Sequence, residues 1–302
     1  MKNHKNLMAD ISLVYASAIW GTTFFIVKDV LKEIDPVILC AYRFLIAGLL
    51  ILPYLFLKRK SIFSNLIQGF ILGLVLWAIY ISQTIGLLYT TASNAAFITG
   101  LFVVFTPVFA FVFLKKKPSL MNLVTILLAV TGLWYLTGGL HEINKGDLIT
   151  LITAVAYAMH IILAHIYMKD NLDPYILTFQ QFITVALICF IASGVLNLPH
   201  SIGSYKVLWV MSYLILFPTL SAFLIQLLAQ KITLPLKVSL IFSLEPVFGA
   251  IFAWTLGGEI FVASRAIGGL LIVIAIVLSN FDFNISILRN RLLSIIGSKR
   301  PI

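Results

Sequence analysis

Glu245 lies near the middle of an apolar run over residues 236–256 and is followed at once by Pro246. Ionising a carboxylate at such a depth costs at least about 2.5–3.5 kcal/mol on insertion scales, so the acid must face an interior cavity or a partner. Proline at 246 has no amide hydrogen to donate. It frees the carbonyl of Phe242 and bends the helix where the acid sits. The chemistry on offer is a proton carrier or cation anchor, with burial favouring the neutral acid. The plainer readings are a permanently protonated acid or a buried pair with Arg43. Arg43 falls about two turns into the run 36–57. Its planar fork suits a substrate carboxylate, and the competing reading is a fixed structural donor or a side chain snorkelling to the surface. His160 shares a helical face with Thr153 and Tyr157. It offers a proton relay near neutral pH or a hydrogen-bonded core imidazole. Trp20, Trp77, Tyr80 and Tyr157, with Gln83 and Asn94 to hydrogen-bond, have the makings of an aromatic-walled pocket, although Trp and Tyr also populate interfacial belts. Gln226 and Gln230, one turn apart, read as glue between helices.

Other chemistries are missing from the chain. It has no Walker loop, no HExxH, no G-x-S-x-G elbow and no EF-hand-like acidic loop. His165 is five residues beyond His160, too far round the helix for a two-histidine metal site. The two cysteines, Cys40 and Cys189, sit in apolar stretches and build no disulfide framework. No cofactor, no metal and no enzymatic constellation are expected.

The elements that must position these residues follow from composition. Of 302 residues, 61% are hydrophobic and 11% charged, with a mean hydropathy of +1.07. Soluble domains carry about 45–50% apolar and about 25% charged residues. A water-soluble chain of this size has no means of hiding so much apolar surface, and disordered chains lack such hydrophobic mass. The chain therefore reads as dissolved in a bilayer. At about 20 residues per crossing, ten runs emerge: 11–31, 36–57, 66–89, 94–114, 120–138, 146–167, 174–196, 206–230, 236–256 and 264–281. Long unbroken runs are helical, since barrel strands would be short and alternating. Lys2, Lys5 and Ala16-Ser17-Ala18 imitate a secretory signal, but the apolar stretch before the supposed cut is too short, and the first helix is expected to be retained.

The net charge of +10 comes from basic residues scattered between runs. That is no nucleic-acid face but it does orient a membrane protein. With the N-terminus inside, fifteen Lys and Arg fall on the inner side, including 58–60 and 115–117. The outer side holds five: Lys28, Lys32, Lys145, Lys206 and Arg265. Both termini are expected in the cytoplasm. Beyond the last run, Ile285, Leu288, Leu292, Ile295 and Ile296 recur at helical spacing among basic residues. This is either an amphipathic helix on the inner leaflet or a frayed tail.

The two halves resemble each other. Trp20 matches Tyr157 at an offset of 137, Asp35-Pro36 matches Asp173-Pro174 and Phe44 matches Phe182 at 138, and Pro107-Val108-Phe109 matches Pro246-Val247-Phe248 at 139. Five runs per half is an odd number, so the second copy enters the membrane upside down. Inverted repeats are a device of carriers, with the binding site near the midplane.

Trp20-Gly21, Tyr42-Arg43-Phe44, Ser93-Asn94-Ala95, Leu244-Glu245-Pro246-Val247-Phe248 and Gly258-Glu259 together resemble the EamA-type ten-helix carriers of the drug/metabolite transporter superfamily, over about residues 10–281. The resemblance implies a bacterial inner-membrane carrier of small polar metabolites, often amino acids or their relatives. One departure stands out: the first-half counterpart of Glu245 is Thr106.

The expectation is an all-α integral membrane protein of two inverted five-helix repeats, 1–140 and 141–282, with a basic tail over 283–302. It would carry an amino-acid-like metabolite by alternating access, proton-coupled through Glu245. Trp20, Arg43, Trp77, Tyr80, Gln83, Asn94, Tyr157 and His160 would bind the cargo. A non-transport membrane protein, either an intramembrane enzyme or a lipid-handling scaffold, is the alternative. The partners expected are the metabolite and the bilayer, with a single chain sufficient to build the pathway.

Overall fold

Both Asp-Pro pairs open helices for the same local reason. The Asp35 carboxylate accepts from the backbone N–H of Val37 (2.8 Å), and Asp173 accepts from Tyr175 (2.9 Å). In each case the proline takes the first helical position, where its missing N–H costs nothing. From such ends the computed structural model builds an all-helical bundle. It describes residues 2–137, 144–200, 204–255 and 260–279, with no strand among them.

The first span is α1 (Lys2–Gly21) and α2 (Thr23–Val30), the second α3 (Pro36–Leu57) and the third α4 (Leu66–Tyr89). The fourth is α5 (Ala92–Gly100) with α6 (Phe102–Leu114), the fifth α7 (Leu120–Thr137), the sixth α8 (Lys145–Lys169) and the seventh α9 (Pro174–Val195). The eighth joins α10 (Tyr205–Leu214) to α11 (Ala222–Gln230) through a π-helical turn, Ile215–Ser221. The ninth is α12 (Pro235–Phe242) with α13 (Glu245–Thr255), and the tenth α14 (Ala263–Ser279). Among the described residues, eight spans are long and apolar enough to cross a bilayer, and the fifth and tenth contribute shorter apolar helices. The expected boundary between repeats at 140, Gly258-Glu259 and the basic tail over 283–302 lie outside the described residues.

Four spans that read as continuous are broken or distorted near their middles. In the first, the Thr22 and Thr23 hydroxyls bond back to the carbonyls of Ile19 and Trp20, both at 2.7 Å. In the fourth, Leu101 N–H reaches Ile98 rather than a residue four back. In the eighth, Pro218 sits inside the π turn. In the ninth, the helix stops at Phe242 and restarts at Glu245, where Pro246 was expected to bend it. Pro107, the counterpart of Pro246, lies within continuous helix, and the break in its span comes six residues earlier.

The two halves close their helices alike at an offset of 138. Arg59 and Asn197 both adopt φ of 50°. Lys60 N–H bonds Leu55 O at 2.9 Å, as Leu198 N–H bonds Ser193 O at 2.9 Å. Tyr42 reaches the loop at His200 (3.3 Å) as Gln180 reaches the loop at Ile62 (2.8 Å). Phe44 meets its own counterpart Phe182 with ring centres 5.4 Å apart, and Trp20 meets Tyr157 at 6.0 Å. The pseudo-two-fold axis of the inverted repeat runs between these pairs. Around it α3 packs on α9, α7 on α14, and α4 along both α8 and α9.

Candidate functional site

The broken spans converge. Where α1 ends, Gly21 passes over the start of α13 so closely that a Cβ there would lie 2.6 Å from the carbonyl oxygen of Glu245 and 2.9 Å from Gly249 N. Only glycine permits that approach, which brings Glu245, the first residue of α13, to the bundle centre. Glu245 is buried, and its Oε2 has no hydrogen-bond partner among the described residues.

Around the acid, Trp20, Tyr80, Gln83 and Tyr157 line a single cavity together with Thr23, Ile79 and Phe223. First-half and second-half spans contribute alike. The walls are aromatic contacts: Trp20 packs on Phe223 (5.2 Å) and on Phe242 (5.0 Å), and Tyr157 packs on Phe102 (4.6 Å). The Gln83 amide is fixed by Thr99 at 3.5 Å. The space enclosed is about 20 Å³, room for about one water. A metabolite is larger than this space.

The indole N–H of Trp20 donates to Pro218 O at 2.7 Å. Pro218 has no N–H to return to Leu214 O, which accepts instead from the Thr219 hydroxyl at 2.7 Å. The next residue is held from the second span, where Arg43 Nε donates to Thr219 Oγ1 at 2.6 Å. Arg43 Nη2 also reaches Tyr80 OH at 3.4 Å, and the guanidinium lies 4.7 Å from the Tyr80 ring centre. Arg43 is therefore buried one layer behind the cavity wall, and is not part of its lining. Among the described residues it forms no ion pair, with Glu245 or any other carboxylate.

Three further expected residues stand away from the cavity. Trp77 is half-buried in the core beside it. At 100° per residue Trp77 lies 120° round the helix from Gln83, so the two do not share the lining face. Asn94 sits in the first turn of α5, where its backbone N–H is taken by the capping Thr91 hydroxyl at 3.0 Å, and it does not line the cavity. His160 is fully buried in an amide chain, with Nε2 3.0 Å from Gln181 Oε1 and Nδ1 3.4 Å from Gln226 Nε2. Gln226 continues to Gln230 (3.3 Å), and Gln230 donates to Ile161 O (2.8 Å). Phe223 meets both this imidazole (5.8 Å) and the cavity, so a shift of that ring is felt by both. Thr219 and Phe223 escaped sequence reasoning. Pro218, a proline inside an apolar run, was the available signal for the first, and nothing marks Phe223 among 23 phenylalanines.

The ends of the bundle are tied. At one end Lys28 Nζ bonds Thr90 O, and Thr90 Oγ1 bonds the Asp147 carboxylate. At the same end Lys206 pairs with Asp29 at 2.5 Å. At the other end Lys60 pairs with Asp173, and Lys237 with Asp10 at 2.7 Å. No cluster of three or more His, Cys, Asp or Glu suited to a metal occurs among the described residues.

The model of the EamA-like transporter family matches residues 7–138 and again residues 144–281. The chain belongs to the EamA-like transporter family. An uncharacterized transporter of Archaeoglobus fulgidus is 30% identical over 274 residues, covering 91% of this chain and 86% of its own length. The uncharacterized transporter YyaM of Bacillus subtilis is 26% identical over 286 residues, 90% of this chain and 93% of its own. A solved crystal structure at 16% identity superposes with a TM-score of 0.77, covering 94% of this chain and 98% of its own, which establishes the shared fold. This EamA-like chain is thus a multi-pass membrane protein built as two inverted repeats, and its family and relatives are transporters.

Proposed function

We propose that this EamA-like protein carries an amino acid or related amine-bearing metabolite across the bacterial inner membrane by alternating access, coupled to protons through Glu245. The observation that supports this reading is the unpartnered Glu245 carboxylate in a cavity shared by both repeats. An ionised acid left unpaired there is costly, so its stable states are the protonated acid and the acid paired with a cationic cargo. Competition between a proton and an ammonium group for one carboxylate couples the two fluxes. The aromatic faces of Trp20, Tyr80 and Tyr157 suit an ammonium's neighbours, and the Gln83 amide and Thr23 hydroxyl supply hydrogen bonds for the rest of the molecule. Opening on alternate sides follows from rocking one repeat against the other about the central axis. The Gly21 crossing and the Trp20 and Arg43 bonds to the π turn are contacts between the two repeats beside the cavity.

The test is uptake of labelled amino acids and amines into proteoliposomes, with cargo found first by a thermal-shift screen, since specific ligands stabilise by mass action. Accumulation of unaltered cargo is expected. Recovery of a chemically converted product would favour an intramembrane enzyme instead.

A further inference from the structure

A second concavity lies on the outer face of the bundle and shares no lining residue with the Glu245 cavity. It is a groove of about 550 Å³ between α4 and α9. Leu66, Ile67 and Phe70 form one wall, Phe179, Ile183 and Leu187 the other, and the loop residues Ile62 and Phe63 roof one end. From Phe179 to Leu187 the groove descends about 12 Å at 1.5 Å per residue, from the interface toward the bilayer midplane. Its shape is fixed by polar contacts behind it. Gln180 Nε2 donates to Ile62 O (2.8 Å) and Ser64 O (2.7 Å), holding the roof on α9, and Lys60 anchors the same loop to Asp173. Gly69 and Gly73 let α4 cross so close to α9 that a Cβ would fall 2.0 Å from Gln180 Oε1 and 2.5 Å from Thr184 Cβ.

An apolar cleft at this depth is filled by the surrounding fluid, which is hydrocarbon. The turn that leads into the roof carries Lys58 and Arg59, both exposed and in no ion pair among the described residues. Each basic side chain near a membrane surface attracts anionic lipid. We propose that this groove holds one acyl chain of an anionic phospholipid whose headgroup rests on the Lys58–Arg59 turn. Because α4 belongs to the first repeat and α9 to the second, the bound lipid bridges the seam between the two halves. The inference is independent of what the central cavity carries.

Native mass spectrometry of the purified full-length protein, offered phosphatidylglycerol and phosphatidylcholine with identical acyl chains, tests it. One phosphatidylglycerol per chain is expected to be retained in preference to phosphatidylcholine. The Lys58→Gln/Arg59→Gln double variant is expected to lose retention roughly tenfold. Ile67→Trp, a lipid-facing change at a residue 72% exposed, fills the groove without touching the basic turn and is expected to lower retention as well. Equal retention of the two lipids would make the bound lipid ordinary solvent and overturn the proposal, as would undiminished retention in either variant. Disulfide-linked pairs formed by Ile67→Cys protein in native membranes would assign the face to a second copy and overturn it too.

Discussion

Arg43 and Glu245, a base and an acid near the same cavity, do different work. Arg43 donates to Thr219 and Tyr80 from behind the wall, so it positions the aromatic face and the π turn. Arg43→Lys keeps the charge but loses the planar fork. The transport rate is expected to fall roughly tenfold with KM little changed, measured by initial rates over a range of cargo concentrations. A rise in KM with an unchanged rate would mean that the guanidinium binds cargo directly. Gly21 acts through space it leaves empty. In Gly21→Ala the new methyl meets backbone at Glu245 and Gly249, and neither atom is the end of a flexible side chain. Overpacking of this kind costs about 1–3 kcal/mol. A lower melting temperature and loss of transport are expected together, and an unchanged melting temperature would contradict the close crossing. The acid itself was legible because a charge within an apolar run has few explanations. The withdrawal of Arg43 from the cavity was not, because it depends on Thr219, 176 residues away in sequence.

Helix ends and helix breaks differ in how far they can be read. The ends at 36, 57, 66 and 89 coincide with the apolar runs because Asp-Pro pairs and loop polarity are local signals. The breaks are met by partners elsewhere: Thr22 is held by Tyr213 OH at 2.6 Å, and the Pro218 carbonyl by Trp20. Trp77 illustrates a related limit, because it lies 120° round the helix from Gln83, and only Tyr80 and Gln83 of the three candidates on that helix reach the cavity. The π turn makes a prediction at this scale. A proline inside a helix costs about 3 kcal/mol relative to alanine, so Pro218→Ala is expected to leave the melting temperature equal or higher. Transport is expected to fall as residue 218 regains an N–H, the Leu214 carbonyl returns to the helix and the π turn that meets Trp20 and Arg43 is lost. Full transport in Pro218→Ala would show that the distortion has no part in the cycle.

At the scale of the whole molecule, the inverted repeat explains why one cavity is built from both halves and why paired features recur at 138 residues. It was legible in outline because proline and aspartate anchors survive in order. The size of the central space was not, since about 20 Å³ depends on how eight side chains pack. The topology makes its own prediction. Single cysteines at Lys32 and Tyr205 are expected to be labelled from one face of the membrane, and cysteines at Arg59 and Asn171 from the other. Labelling of Lys32 and Tyr205 from opposite faces would contradict the inverted arrangement. The most direct test of the account is cargo flux in proteoliposomes with an imposed pH gradient, comparing the native protein with Glu245→Gln at matched melting temperature. The account predicts gradient-driven accumulation in the native protein and none in the variant; equal flux in both at every gradient would contradict it.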